Sequence, residues 1–277
     1  MNPHPDSLAC TDLDSCVQHL GQQGLAVLDH AGLARQTGAA MATTPGAEAD
    51  TCASAALAAL APLWNDLPPD AHLKDGGHYR QRRHASLVQH LDRPGASDDT
   101  LVLAPPRAHW QPTTYNALHG GMLRWFAPVD DRMSGSPAWR ALVIEIGRLF
   151  ARVRSPKDRR WYIEAHPFRI TTAGGVGRPT PEGAHRDGVD FVAVVMVGRH
   201  QIIGGETRVF DASGPFGLRF TLSEPWSVLL LDDERVIHES TPIQPLEQGA
   251  GGTALPGWRD TLVLTYRSGG FQDPPDA

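Results

Sequence analysis

Two kinds of hydrophobic periodicity divide the chain. In the first part apolar residues recur at helical spacing: Leu13, Val17 and Leu20 follow Thr11 and Asp12, either of which can accept the free amides of a first turn. This predicts a helix over 11–21, ended by Gly24, with a short strand over 25–28. Residues 31–51, rich in Ala, Gly and Thr, show no clear period, and 53–63 reads as a helix that stops near Pro62. Residues 87–91 read as another strand. Ser136-Pro137 is the strongest helix start, because serine caps and proline suits the first helical position. Trp139, Leu142, Val143, Ile146, Leu149, Phe150 and Val153 then form one apolar stripe, expected to pack on the outer face of a sheet.

After Ser155-Pro156 the pattern changes to short strands with turn residues between them, at 161–172, 187–197, 206–210, 218–222, 226–231 and 260–267, as in a sandwich or barrel. Residues 1–73 read as a helical lead-in within the same globule, 74–270 as the β-rich domain, and 271–277 as a loose tail.

Charge and composition narrow the function. A net charge of −6 argues against nucleic acid as a partner. No apolar run approaches the roughly 20 residues of a membrane span, and Met1-Asn2-Pro3-His4-Pro5-Asp6 lacks a basic segment followed by an apolar one, so a cytoplasmic protein is expected. Cys10, Cys16 and Cys52 have no C-x-x-C spacing and read as reduced thiols without a metal role.

The candidate chemistry lies in His185-Arg186-Asp187. On a strand over 187–197, residues two apart share a face, so His185 and Asp187 point the same way. Two imidazoles and one carboxylate on one side of a metal leave three positions open, the arrangement of non-haem Fe(II) sites, and His238 is the candidate third ligand. A kinase catalytic loop is excluded, since its Asn position is Val192 and no G-x-G-x-x-G occurs. Gly174-Gly175-Val176-Gly177 lacks the Lys and Ser of a phosphate loop and reads as a mobile lid. Asp232, Asp233 and Glu234 read as a solvated acidic turn, and Glu206 as a structural pairing residue.

His185-x-Asp187, the distal His238 and Arg259-Asp260-Thr261 together resemble the 2-oxoglutarate/Fe(II)-dependent dioxygenases. Within them the sequence is similar to the bacterial branch of free L-isoleucine 4-hydroxylases and biofilm-associated BsmA-like proteins, most strongly over 161–267. Weaker echoes lie in Tyr79-Arg80-Gln81-Arg82-Arg83 and Tyr115-Asn116-Ala117-Leu118-His119-Gly120-Gly121. The resemblance implies a mainly β, overall α+β fold: a double-stranded β-helix (jelly-roll, cupin-like) core with flanking N-terminal and central helices. It implies Fe(II) on His185, Asp187 and His238, with no catalytic residue beyond the metal site. It also implies 2-oxoglutarate held through its distal carboxylate by Arg259, with O2 and a small molecule as the other substrates and succinate and CO2 as co-products.

Arg259, Thr261, Val263, Thr265 and Arg267 would share one strand face, which puts the Thr261 hydroxyl beside Arg259 and makes Arg267 its rival. Arg80, Arg83 and Arg169 are candidates for a substrate carboxylate, which the guanidinium fork matches. The leading expectation is a hydroxylase of a free L-amino acid or similar small carboxylate metabolite. The alternatives are a hydroxylase of a protein side chain and a non-catalytic metal-binding barrel acting as a sensor or interaction protein in stress or biofilm physiology. Nothing in the pattern fixes an oligomeric state.

Overall fold

Strand β1 (Ala9–Cys10) leads into helix α1 (Leu13–Gln23), which Asp12 starts by accepting the Ser15 amide at 2.8 Å and Gly24 ends at φ 77°. Then come β2 (Leu25–Leu28), α2 (His30–Met41), α3 (Ala47–Ala58) and a 3-10 turn (Ala61–Asp66). The stretch without a readable period, 31–51, holds most of α2 and the start of α3. Its small residues serve contact: a Cβ on Gly32 would meet Leu28, and one on Gly38 would meet the backbone of Ala49. The structure, a computed structural model, describes residues 9–42, 46–91, 100–246 and 256–275. The N-terminal hexapeptide and the last two residues of the expected tail lie outside them.

The chain continues through β3 (Arg80–Arg82), β4 (Ala85–His90), β5 (Thr100–Leu103), α4 (Asp131–Ser134) and α5 (Pro137–Val153). The remaining strands are β6 (Arg160–Thr171), β7 (Phe191–His200), β8 (Ile202–Gly204), β9 (Thr207–Asp211), β10 (Gly217–Phe220), β11 (Val228–Asp232), β12 (Val236–Ser240), β13 (Ile243–Pro245) and β14 (Trp258–Arg267). The large sheet runs β1-β2-β11-β7-β14-β6-β4-β5, with β3 also on β6; β10-β9-β12 and β13-β8 form the smaller layer. Every pair is antiparallel except β1 with β2. The fold is α+β with a jelly-roll core, as the sequence led us to expect.

Alternation along β7 shows how the layers are glued. Phe191, Ala193, Val195 and Val197 face the helices, where Trp139, Leu142, Ile146 and Phe150 of α5 pack against them. Phe150 stacks on Phe191 with ring centroids 4.6 Å apart. Burying each such side chain contributes about 1.5–3 kcal/mol, so the α5 stripe is a main source of stability. Val192 and Met196 face the other way, into a second core with Val209, Leu229, Leu231 and Val236 between the sheets.

This corrects the strand expected over 187–197. Its first residues are a turn, because Gly188 adopts φ 76°, and β7 begins only at Phe191. The expected solvated turn is also corrected: Asp232 and Asp233 are buried, and only Glu234 of the three is exposed. Glu206 pairs with Arg208 at 2.9 Å, in line with a structural role. Gln272, within the stretch expected as a tail, donates its amide to the carbonyls of Asp187 at 3.1 Å and Gly188 at 2.7 Å.

Candidate active site

His185 and His238 face each other across a short antiparallel bridge, each backbone N–H donating to the other's carbonyl at 3.0 Å. Their rings lie 4.6 Å apart between centroids. The Asp187 carboxylate closes the triangle, with Oδ1 3.8 Å from His185 Nε2 and Oδ2 3.7 Å from His238 Nε2. One ligand atom from each of the three lies within 4.8 Å of the others. His185 and Asp187 thus converge from an extended stretch in which Arg186 points the other way, and the turn at Gly188 separates that stretch from β7.

The surroundings prepare these atoms to ligate. His185 Nδ1 donates to the Gly183 carbonyl at 3.0 Å, which leaves the Nε2 lone pair directed at the centre. Burial, and then the neighbouring His185, hold His238 well below the usual imidazole pKa, so it stays neutral as a ligand must. For His185 burial acts the same way, but the charges of Asp187 and Glu182 outweigh it and raise the pKa. Asp233 accepts the backbone N–H groups of Asp187, Gly188 and Val189 at 2.9, 2.7 and 3.1 Å, fixing the ligand loop. Gln111 donates to Asp187 Oδ1 at 3.1 Å and accepts from Arg124 at 3.0 Å.

The triad opens on a cavity of about 120 Å³ between the two layers, continuous with solvent at its mouth. Arg259, Thr261, Val263 and Thr265 line it, as alternation on β14 requires. Arg259 is buried, its Nε has no protein partner, and Gly205 at φ 67° lets the backbone pass where a Cβ would come within 3.6 Å of Arg259 Cδ. Arg267 points away and donates to the carbonyls of Gly270 and Phe271.

The substrate candidates divide. Arg80 lines the cavity, but Arg83, just past the end of β3, donates to the carbonyls of Pro128 and Asp66. Arg169 is also turned away, in a bidentate pair with Asp260 at 2.8 and 2.7 Å and over the Trp258 ring. These two expectations are corrected. Alternation places Arg82, not Arg83, on the face of Arg80, so the sequence held that signal.

Residues 61–265 match the 2OG-Fe dioxygenase family. The chain belongs to that family. The 2OG-Fe dioxygenases use Fe(II) and 2-oxoglutarate, and the donor set of two neutral-capable imidazoles and one carboxylate fits Fe(II). Among solved structures, a bsmA homolog from Methylobium petroleophilum PM1 is 57% identical, covering 95% of this chain and 96% of its own, with a TM-score of 0.82. IDO from Bacillus thuringiensis shares the fold at 17% identity and a TM-score of 0.68, over 93% of this chain and 96% of its own. The Fe(II)/α-ketoglutarate-dependent dioxygenase TqaL does so at 17% and 0.60, over 92% and 86%. A comparison with curated proteins returns no match. No helix among the described residues is long and apolar enough to cross a membrane.

Residues that hold the ligands in place also contribute to metal affinity. Asp233, Gln111 and Gln272 escaped sequence reading because they reach the ligand loop only through the tertiary fold. The acidic pair closing the apolar run of β11 was the one local hint of Asp233.

Proposed function

We propose that this dioxygenase hydroxylates an unactivated C–H bond of a small, carboxylate-bearing metabolite, with a free L-amino acid as the first candidate. The observation that carries the reading is the opening of the His185-Asp187-His238 triad onto the same buried cavity as Arg259 and Thr261. His185, Asp187 and His238 would hold Fe(II) from one side and leave the cavity side free. Fe(II), when bound, would couple oxidative decarboxylation of 2-oxoglutarate by O2 to hydroxylation, one oxygen atom entering succinate and the other the product, with CO2 released. Arg259 supplies the guanidinium fork for the distal carboxylate of 2-oxoglutarate, and Thr261, two residues on along the same face, supplies a hydroxyl beside it. Burial of Arg259 keeps water from competing for that contact, since it is 4% exposed.

The test is incubation of the protein with Fe(II), 2-oxoglutarate and a panel of L-amino acids. Succinate should form together with a product heavier by one oxygen. No turnover of any member would contradict the reading.

A further inference from the structure

Four buried residues, His84, His109, Glu164 and His166, bring their ligand atoms within 4.8 Å of one another outside the triad, which at first suggests a second metal. The hydrogen bonds argue otherwise. His84 Nε2 lies 3.1 Å from Glu164 Oε1 and His109 Nδ1 2.9 Å from Oε2. Glu164 is held well below the usual carboxylate range: burial opposes this, but His109 and His84 outweigh it. An ionised carboxylate only accepts, so both ring nitrogens carry the proton. Arg82 sits 2.7 Å from His166 Nδ1, and a guanidinium only donates, which puts the His166 proton on Nε2. None of these three nitrogens offers a lone pair to a metal.

The cluster instead anchors Arg82. Opposite pairing places Arg82 beside Phe168, and its guanidinium lies between the rings of Phe126, at 3.9 Å, and Phe168, at 4.3 Å. Arg80, on the same face of β3, and Arg124 complete a group of three buried guanidiniums in the cavity wall. Each keeps a nitrogen without a protein partner: Arg80 Nη2, Arg82 Nε and Arg124 Nε. Their buried carboxylate neighbours are Asp70, 2.7 Å from Arg80 and 4.0 Å from Arg82, and Glu164 behind His166. The acids of the cavity lining itself, Glu182 and the ligand Asp187, lie on the metal side, Glu182 3.6 Å and Asp187 3.8 Å from His185. Burial, and then the charge of Arg80, press against protonation of both Arg82 and Arg124. Such crowding of positive charge is relieved by an anion in the cavity.

We propose that Arg82, with Arg80 and Arg124, is the subsite for the substrate's carboxylate, and that Glu164, His84, His109 and His166 are positioning residues that hold Arg82 in place. The proposal rests on the hydroxylase reading above and adds which end of the cavity recognises the substrate. Arg124 is linked to the metal ligand Asp187 through the single side chain of Gln111, so an anion bound there leaves the next few carbons of the substrate near the triad.

The experiment loads the protein with redox-inert Mn(II) and 2-oxoglutarate, and measures binding of acetate, of a panel of L-amino acids and of the matching amino-acid amides by calorimetry. We expect carboxylates to bind and amides not to. Arg82→Gln and Arg124→Gln should each weaken carboxylate binding about ten- to a hundredfold while Mn(II) and 2-oxoglutarate still bind. Arg82→Lys, which keeps the charge if Gln disrupts the fold, should lose part of the affinity. Glu164→Gln should weaken carboxylates and leave Mn(II) binding unchanged. The proposal is overturned if amides bind as well as acids, if no carboxylate binds, if the variants bind carboxylates like the parent, or if a second equivalent of metal disappears with His166→Ala. Because Mn(II) supports no turnover, carboxylate binding without succinate formation under Fe(II) would defeat the hydroxylase reading and leave the subsite standing.

Discussion

Asp233 Oδ1 lies 2.9 Å from the backbone nitrogen of Asp187, so a buried carboxylate one strand away fixes the backbone of a metal ligand. The same carboxylate takes the next two amides through Oδ2. Asp233→Ala would leave three amides unpaired, that of Val189 buried, and free the loop. We expect metal affinity to fall about ten- to a hundredfold, the usual cost of losing an outer-shell partner. Mn(II) titration checks this; unchanged affinity would show that the loop holds its shape without Asp233.

Neighbouring positions of the ligand loop should separate cleanly. Asp187→Ala removes a ligand and should abolish tight metal binding, whereas Arg186→Ala should retain it. Arg186 points away from the centre, donating to the Asp233 carbonyl at 2.5 Å beside the Tyr115 ring. Titrating both variants with Mn(II) gives the comparison, and equal losses would contradict the geometry.

Replacing Arg259 by Ala should weaken 2-oxoglutarate about ten- to a hundredfold, the worth of a charge-assisted contact of roughly 1.5–3 kcal/mol, with metal binding intact. Lys should recover only part, since it lacks the planar fork. Arg267→Ala is the control, because its guanidinium caps the carbonyls of Gly270 and Phe271. Direct binding of 2-oxoglutarate to the Mn(II)-loaded variants decides between them.

Some of this was legible in the sequence for identifiable reasons. Helix α5 announced itself through Ser136-Pro137 and an apolar stripe at the helical period, and β14 through alternation that put Arg259 and Thr261 on one face. His185 and Asp187 share a face two residues apart in an extended stretch, with Arg186 turned away, although Gly188 at positive φ ends that stretch before β7 begins. Arg83 stands out by the charge of its cluster, and Arg169 by its place on the strand before the metal motif. Arg169 turns outward to the carboxylate of Asp260, far away in sequence, whereas alternation from Arg80 already separates Arg83 from Arg82. The imidazole cage around Glu164 joins residues from three separate segments and has no local signature.

Stability should depend on pH through that cage. His109 is pushed down to about 4 by burial, even though Glu164 pulls the other way. An unfolded histidine takes up its proton near 6.5, while folded His109 refuses it until about 4. The unfolded chain therefore binds more protons in this window, and stability falls as pH drops from about 6.5 to about 4, by up to ~1.4 kcal/mol per pH unit for this one group. Urea denaturation across the window should show a shallower dependence for His109→Gln than for the parent. Identical slopes would mean that His109 is protonated in the folded protein.

The most direct test of the whole account is a crystal structure of the protein with Mn(II) and 2-oxoglutarate. The account predicts one metal ion, bound by His185, Asp187 and His238, with the keto acid end of 2-oxoglutarate on its open side and the distal carboxylate on Arg259 beside Thr261. A metal among His84, His109, Glu164 and His166, or a distal carboxylate on Arg82 with Arg259 untouched, would contradict it.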